Sequence, residues 1–502
     1  MEGAVGLDKW LLRWLLLAAG VLGAGLLAGA FTALAMTHRA PALAILCFVV
    51  SLLPIIVRVA QRRFDPFEPI QIVAITFVML YGIRPGAELI WNVNSFIGMY
   101  ARGGFDGAAL ISAVGMLCVY IGYALTSGRG IARRLPSVPD RWDAQRSVRF
   151  GIWVLVACAV LTALFAATVG PSVLFHFYWG GRSSTQFATF LAVSGYVSLG
   201  PYLTIPAAII FLFAFARLRT AKTFLLFAFS LGVALFLTLP RGDRTYVIAI
   251  ALPLLVFPYL RKGRRPSGVA TLVAVLAAVL ALNVFLATRE AGARQSPGKA
   301  IAGAVLHVPS QLKKFATGID LAEFSVLELE HEAYYTATNP LKFHPGRTLL
   351  SAIAYPLPRK LIGPGPKRGA GQWVVDRLFP QTIQIRASFN PAIFGDFFSD
   401  AGWVTIILYD LVVGIAVRVL WEYFRRFERS EGVQIVFAAT LPVLVIMVRN
   451  SVVDAFARSL FLSGPLLLCL VVGSRERMRK FAGYRLRPEL KGPRIDAGYE
   501  RR

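Results

Sequence analysis

The sequence predicts an all-α, polytopic membrane protein with about twelve transmembrane helices and a long external loop that carries amphipathic helices. Composition is the first reason: hydrophobic residues make up 56% of the 502 residues, charged residues only 16%, and the mean hydropathy is +0.62. A soluble domain carries about 25% charged residues, so this chain has too little polar surface to fold in water. Soluble, disordered and disulfide-scaffold classes are therefore excluded.

Apolar segments long enough to cross a bilayer recur along the chain and are the second reason, since a spanning helix needs about 20 apolar residues. The predicted spans are 10–36, 41–57, 70–90, 107–126, 151–169, 195–216, 223–239, 246–260, 269–288, 403–419, 433–448 and 452–472. The first apolar run is too long for a signal peptide, so we expect a retained helix there.

Alternate loops between the spans are rich in arginine, and this pattern is the third reason. Because positively charged loops stay on the cytoplasmic side, both termini are predicted to be cytoplasmic, and the net charge of +26 is an orientation signal rather than a nucleic-acid footprint. We divide the chain into a membrane bundle of about nine spans at 1–288, a long external loop at 289–398, about three spans at 399–473 and a basic cytoplasmic tail at 474–502.

The external loop holds about 110 residues without a span, and loops of that length are usually functional. Apolar spacing predicts one or two amphipathic helices over 300–337. Cations also occur in the external loops, where the positive-inside bias leaves few. They are Arg182, Arg241, Arg244, Arg347, Arg359, Lys360, Lys367 and Arg386. Guanidinium groups bind phosphate bidentately, so this group suits a lipid-linked diphosphate; pairing with headgroups or local carboxylates is the alternative.

Carboxylates and histidines of the loop are candidates for a general base. They are His331, Glu332, His344, Asp376, Asp396 and Asp400. Asp396 and Asp400 precede a span and are also placed to cap it; we favour the cap for Asp400 and leave both roles open for Asp396. The spacing of Asp454 and Arg458 favours a simple ion pair. The five histidines and four cysteines show no metal-ligand spacing, and no nucleotide-binding loop occurs, so we predict no metal and no cofactor.

Three stretches resemble the oligosaccharide repeat unit polymerases, the Wzy-type relatives of O-antigen polymerase and O-antigen ligase. Residues 64–69, Phe-Asp-Pro-Phe-Glu-Pro, resemble that family's early cytoplasmic motif. Residues 239–246, Leu-Pro-Arg-Gly-Asp-Arg-Thr-Tyr, resemble its Gly-Ser-Arg-Thr turn, with Asp243 in place of serine. The third stretch resembles its long periplasmic loop and consists of the segments 344–347, 356–360, 364–367 and 389–396. It contains the family's Pro-Arg step at 358–359, has Pro-Lys at 366–367 where the family has Lys-Pro, and has Asn390 in place of serine.

The resemblance implies a glycosyltransferase of surface polysaccharide assembly in the bacterial plasma membrane. A glycan chain on polyprenyl diphosphate would pass to a lipid-linked repeat unit on the outer face, without a metal. Arg244, Arg347 and Arg359 are the expected diphosphate ligands, with Arg241, Lys367 and Arg182 as support, because concentrated negative charge needs preorganised cations. Asp396 or His344 is the expected base. The implied partners are polyprenyl-diphosphate-linked oligosaccharides, membrane lipids, and chain-length regulator and flippase proteins, with no nucleic acid.

Three alternatives stay open. An O-antigen-type ligase differs only in its acceptor, which the sequence does not show. A polyprenyl-phosphate-sugar glycosyltransferase usually has an acidic residue in its first external loop, whereas the loop here, at about 37–41, has none. A polysaccharide or lipid transporter or flippase belongs to another class and needs polar residues along its spans, which here are mostly Ala, Leu, Val and Phe.

Overall fold

A computed structural model gives the fold of the chain for residues 39–90, 95–96, 99–100, 104–136, 143–171, 197, 199–238, 244–263, 265–266, 269–271, 273–274, 343–354, 392–450 and 452–473. Almost all of these residues are helical. The helices before the long loop are α1 (Arg39–Ala60), α2 (Pro69–Phe77), α3 (Ile83–Ile90), α4 (Phe105–Ala124), α5 (Ser127–Arg134), α6 (Ala144–Val169), α7 (Thr204–Leu218), α8 (Ala221–Thr238) and α9 (Arg244–Arg261).

The remaining elements are two helices from the loop region, the last helices of the bundle and three short features. The helices are α10 (Arg347–Ala354), α11 (Ala392–Ala401), α12 (Trp403–Arg426), α13 (Glu431–Arg449), α14 (Val452–Leu462) and α15 (Gly464–Gly473). A π turn, Val78–Gly82, joins α2 to α3, and a 3-10 turn, Gly200–Leu203, leads into α7. Strand β1 (Ser95–Phe96) pairs antiparallel with β2 (Met99–Tyr100).

Nine helical stretches within the described residues are long and apolar enough to cross a membrane. They match nine predicted spans, so the helical, multi-pass class is confirmed. A further apolar helical stretch, Tyr246–Arg261, is shorter than these nine. The predicted span 10–36, most of 269–288 and the amphipathic helices over 300–337 lie outside the described residues. The count of twelve stays a prediction.

Large apolar side chains cover the outside of the bundle. Trp153 of α6 is 69% exposed and Phe229 of α8 is 63% exposed. A soluble protein rarely leaves a continuous apolar surface of this kind in water. Helices α1, α6, α8 and α12 carry much of this surface, whereas α2, α4, α7 and α13 are mostly buried in the interior. The lipid-facing ring and the protein core are therefore distinct sets of helices.

Local sequence explains where several helices begin and turn. Asp143 precedes α6 and accepts hydrogen bonds from the backbone N–H groups of Gln145 (2.9 Å) and Arg146 (3.3 Å), as an N-cap does. Pro69 occupies the first position of α2, where its missing N–H costs nothing. Arg219 follows the last residue of α7 and takes a left-handed conformation, φ 52°, which ends the helix. Arg219 and Thr220 form the whole link to α8.

Helices α4 and α12 pack against each other in parallel, and glycines on both sides bring their backbones together. An added Cβ at Gly414 would lie 2.1 Å from the carbonyl oxygen of Val119, and one at Gly122 would lie 2.2 Å from that of Leu411. Small residues allow this closeness between membrane helices, where dispersion contacts drive association. The spacing leaves no room for a methyl group on either helix.

Substitution of Gly414 by alanine tests this contact. We expect Gly414→Ala to lower the free energy of unfolding by about 2–3 kcal/mol, because the clash is with backbone that must move. Gly232→Ala in α8 is the matched control, since its added Cβ meets no described atom within 4 Å. Thermal unfolding of the purified protein in detergent measures both variants. Equal midpoints for the two would contradict the tight α4–α12 contact.

The arginine-rich loops meet at one end of the bundle, which we call the basic face; the other end is the opposite face. Arg426 of α12 donates to the carbonyl of Arg133 (2.9 Å), and Arg265 forms an ion pair with Asp65 (2.8 Å). Arg217 pairs with Glu431 (2.5 Å) in the same region. The predicted alternation of loops therefore agrees with the way the helices assemble.

Helix α11, just before α12, is buried in the bundle near the opposite face. All of its residues from Ala392 to Asp400 are buried. The ring of Phe394 packs at 4.7 Å from Tyr81 and 5.4 Å from Phe77, measured between centroids. An added Cβ at Gly115 of α4 would clash with the same ring at 2.5 Å. A phenylalanine anchor thus fixes α11 between α2 and α4.

Candidate functional site

The segment 343–354 of the long loop docks on α11 and builds the described part of the candidate site on the opposite face. The ring of Phe343 meets Phe398 edge-on at 5.8 Å between centroids. The backbone N–H of His344 donates to the carbonyl of Ser399 at 3.1 Å, and the carbonyl of His344 accepts from the N–H of Arg347 at 3.1 Å. These contacts hold the start of α10 at a fixed position on the bundle.

Asp400 ties the start of α10 to α11. Its Oδ1 accepts hydrogen bonds from the backbone N–H and the hydroxyl of Thr348, each at 3.0 Å. The Thr348 hydroxyl also lies 3.1 Å from the carbonyl of Asp396. The prediction that Asp400 caps the following span is wrong, because the N-cap of α12 is Gly402, which has no capping side chain. Asp400 instead satisfies a free N–H at the first turn of α10, 52 residues away in sequence.

The environment of Asp400 changes its acidity. Burial raises the pKa of the carboxyl from 3.8 to about 6, while the hydrogen bonds from Thr348 and the positive charge of Arg347 lower it. Burial has the larger effect on this pKa, because the carboxylate loses its water shell and only the two donors of Thr348 replace it. Asp400 therefore gains or loses its proton close to neutral pH.

A second group of side chains lies at the same end of the bundle. The rings of Tyr202 and Tyr246 stack at 3.7 Å, and the guanidinium of Arg458 lies over Tyr246 at 5.1 Å. Tyr246 is two residues after Arg244, so this stack fixes the first turn of α9. Helix α14, which carries Arg458, also packs against α10. Two arginine-bearing segments, the start of α9 and α10, thus converge on α14.

The eight residues predicted for the site fall into three groups. Arg347, His344 and Asp396 lie together in the α10–α11 region, with Arg347 and His344 half-buried and Asp396 fully buried. Arg244 begins α9, and its side chain is outside the described part. The others also lie outside the described residues: Arg182, Arg241, Arg359 and Lys367.

Two charged residues inside the spans had no predicted role. Asp410 of α12 is fully buried, faces Gly115 of α4, and neither carboxylate oxygen has a hydrogen-bond partner among the described residues. Arg84 of α3 is only 2% exposed. Ionisable groups at membrane depth are costly and commonly functional. The signal was visible in the sequence, because Asp410 interrupts an otherwise apolar helix.

Comparison with known proteins adds no family to this picture: no family model, no curated protein and no solved structure matches the chain. Within the described residues, no group of three or more His, Cys, Asp or Glu side chains is placed to hold a metal ion. The ionisable groups that the described part of the site does offer are cations and buried carboxyl groups.

The raised pKa of Asp400 predicts how stability depends on pH. The unfolded chain releases this proton near pH 4 and the folded chain near pH 6, so the folded state binds more protons between them. Stability should therefore fall as the pH rises from about 4 to about 6, by roughly 3 kcal/mol in total. The Asp400→Asn variant keeps an acceptor for Thr348 but has no proton to lose, so it should not show this fall.

Unfolding midpoints of the purified wild type and Asp400→Asn across this pH range measure the difference. Asp400→Ala serves as a second variant: like Asp400→Asn it has no proton to lose, but it removes the acceptor, so it should be about 1 kcal/mol less stable than Asp400→Asn at every pH. Parallel pH profiles for the wild type and Asp400→Asn would contradict a buried, titrating Asp400.

Proposed function

We propose that this chain is a membrane glycan polymerase of surface polysaccharide assembly. It would transfer an oligosaccharide chain from polyprenyl diphosphate to a lipid-linked repeat unit at the outer face of the bacterial plasma membrane. Under this proposal both termini are cytoplasmic and the opposite face is the external one. The sequence resemblance and the external cations point to this reaction class.

One observation carries the proposal: arginines from separate segments converge at one end of an apolar bundle. Arg347 starts α10, which Asp400 docks onto α11, and Arg458 of α14 lies over Tyr246 near the start of α9. A lipid-linked diphosphate has a tail that needs the bilayer and a head that needs cations at the membrane surface. Guanidinium groups held by packed helices satisfy the second need without reorganising during the reaction.

The proposed reaction uses these cations on the leaving group. The acceptor hydroxyl attacks the anomeric carbon of the donor chain, a new C–O bond forms, and the bond to the diphosphate oxygen breaks. The electron pair leaves with the diphosphate, where Arg347 and its neighbours stabilise the charge. The hydroxyl proton passes to a base. His344 is half-buried next to Arg347, whereas Asp396 is fully buried, so His344 is the better placed of the two.

Mass spectrometry of the lipid-linked glycans from a strain that lacks the gene tests the proposal. We expect single repeat units on polyprenyl diphosphate to accumulate, and the wild-type gene to restore long chains. Arg347→Ala should lower polymer formation on the order of 100-fold, because it removes a cation at the leaving group. Arg39→Ala is the matched control: Arg39 is exposed on the same face and pairs with Asp106 at 3.8 Å.

Each other result leads to a different conclusion. Long lipid-linked chains that never leave the carrier would identify a ligase instead. An unchanged lipid-linked pool would exclude both enzymes. Normal polymer formation by Arg347→Ala would remove this arginine from the site.

A transporter or flippase is the second candidate, and Asp410 is the observation that favours it. A carboxyl group inside the bundle, with no hydrogen-bond partner among the described residues, is typical of proteins that move charged or polar cargo. Under this alternative Asp410 would contact the passing substrate. Under the polymerase proposal it is a buried polar group that costs stability.

The Asp410→Asn variant separates these two roles. We expect its unfolding midpoint to rise by about 2–4 °C, because an amide cannot bring a charge into the apolar bundle as a carboxyl group can. Asp106→Asn at the exposed end of α4 is the control and should leave the midpoint unchanged. Loss of polysaccharide export by Asp410→Asn, with lipid-linked chains of normal length, would favour transport instead.

A further inference from the structure

A cavity lies on the basic face, at the other end of the bundle from the candidate site. Its volume is about 620 Å³, within the range of small-molecule sites. Residues from α1, the link before α2, α5, the link after α9 and the end of α12 line it. They are Arg58, Arg63, Asp65, Glu68, Arg129, Arg265, Arg418, Trp421, Arg425 and Glu428. Six arginines thus face three carboxylates.

Buried contacts hold the floor of this cavity in place. Glu68 is 2% exposed, forms an ion pair with Arg58 and accepts a hydrogen bond from the Tyr123 hydroxyl at 2.5 Å. The guanidinium of Arg418 lies 5.1 Å from the centre of the Tyr123 ring and bonds Glu422 at 2.5 Å. Since Glu68, Arg58 and Arg418 are each fixed by a partner, these walls of the cavity do not need to become ordered when a ligand arrives.

Local pairing neutralises two of the three carboxylates. Glu68 is used by Arg58, and Asp65 pairs with Arg265 at 2.8 Å while also accepting the backbone N–H of Phe67. Arg63 and Arg425, in contrast, have no carboxylate partner among the described residues. No described carboxylate therefore neutralises these two cations, and Arg425 is positioned over the ring of Trp421, 6.0 Å from its centroid.

A second cavity of about 390 Å³ extends the site. Arg129 and Arg425 line both cavities, and the second adds Arg133 and Arg426. Arg425 thus stands between two neighbouring spaces with cationic walls. A ligand with one phosphate would fill part of this space, and a ligand with two or more negative charges would use both.

We propose that the basic face holds a binding site for a phosphate-bearing anion, in which Arg63 and Arg425 bind the phosphate and the Glu68–Arg58–Tyr123 cluster holds the walls. Guanidinium groups give charge-assisted, bidentate bonds to phosphate oxygens, and six of them line the cavity. The phosphate could belong to a soluble molecule or to the headgroup of an anionic lipid. The site is separate from the proposed transferase site and does not rest on that proposal.

Binding to the full-length protein in phosphatidylcholine nanodiscs tests the soluble source, with inorganic pyrophosphate as the probe and calorimetry as the readout. We expect saturable binding that Arg63→Ala with Arg425→Ala weakens at least about tenfold. The matched control is Arg134→Ala with Arg429→Ala, which removes the same charge from exposed positions on the same face that do not line the cavity. It should change the affinity less than about twofold.

Native mass spectrometry from nanodiscs that also contain phosphatidylglycerol tests the lipid source. Loss of retained phosphatidylglycerol in the Arg63/Arg425 variant alone, without an effect on pyrophosphate, would assign the site to a headgroup; the reverse would assign it to a soluble phosphate. Both support the site. Equal weakening by both double variants, or no saturable binding of either probe, would overturn it. If the double variant does not fold, Arg425→Gln alone is compared with Arg429→Gln.

Discussion

The close packing of α4 on α12 positions both ends of this molecule. Gly122 and Gly414 let the two backbones meet along the middle of the bundle, and no other pair of described helices is fixed by backbone contact at both partners' glycines. The first turns of α12 carry α11 and, through Asp400, the docked helix α10. Its last turns carry Arg418 and Arg425 into the cavity of the basic face. One helix pair therefore sets the geometry of two chemically different surfaces.

Periodic and compositional features of the sequence predicted the fold well. Nine spans were located with ends that differ from the structure by up to seven residues, because each span is a long apolar run that the sequence of a single chain shows directly. The arginine-rich loops were also grouped correctly, since the positive-inside bias acts on each loop separately. The predicted span 246–260 coincides with helix α9, but the apolar part of this helix, Tyr246–Arg261, is short for a span.

Contacts between residues that are far apart in the sequence could not be predicted. Asp400 looks like the cap of the helix that follows it, and nothing local shows that Thr348 supplies a donor from 52 residues away. The arginines of the basic face pose the same problem. Arg425 and Arg429 look equivalent in the sequence, yet Arg425 lines the cavity of the basic face and Arg429 does not. A charge pattern predicts the side of the membrane, but the choice between a solvated side chain and a binding residue depends on the neighbours that folding supplies.

Three buried aspartates within the α11–α12 region connect the fold to its chemistry. Asp396 and Asp400 are one helical turn apart on α11, so they lie on the same side of that helix, and Asp410 follows inside α12. The hydrogen bonds from Thr348 offset part of the cost of burying Asp400, and the remaining cost raises the pKa of its carboxyl group to about 6. An apolar bundle gains no stability from three such groups. Under the proposed transferase function, the cost of burying Asp400 has a structural role, because this carboxyl group holds α10 and Arg347 at the opposite face.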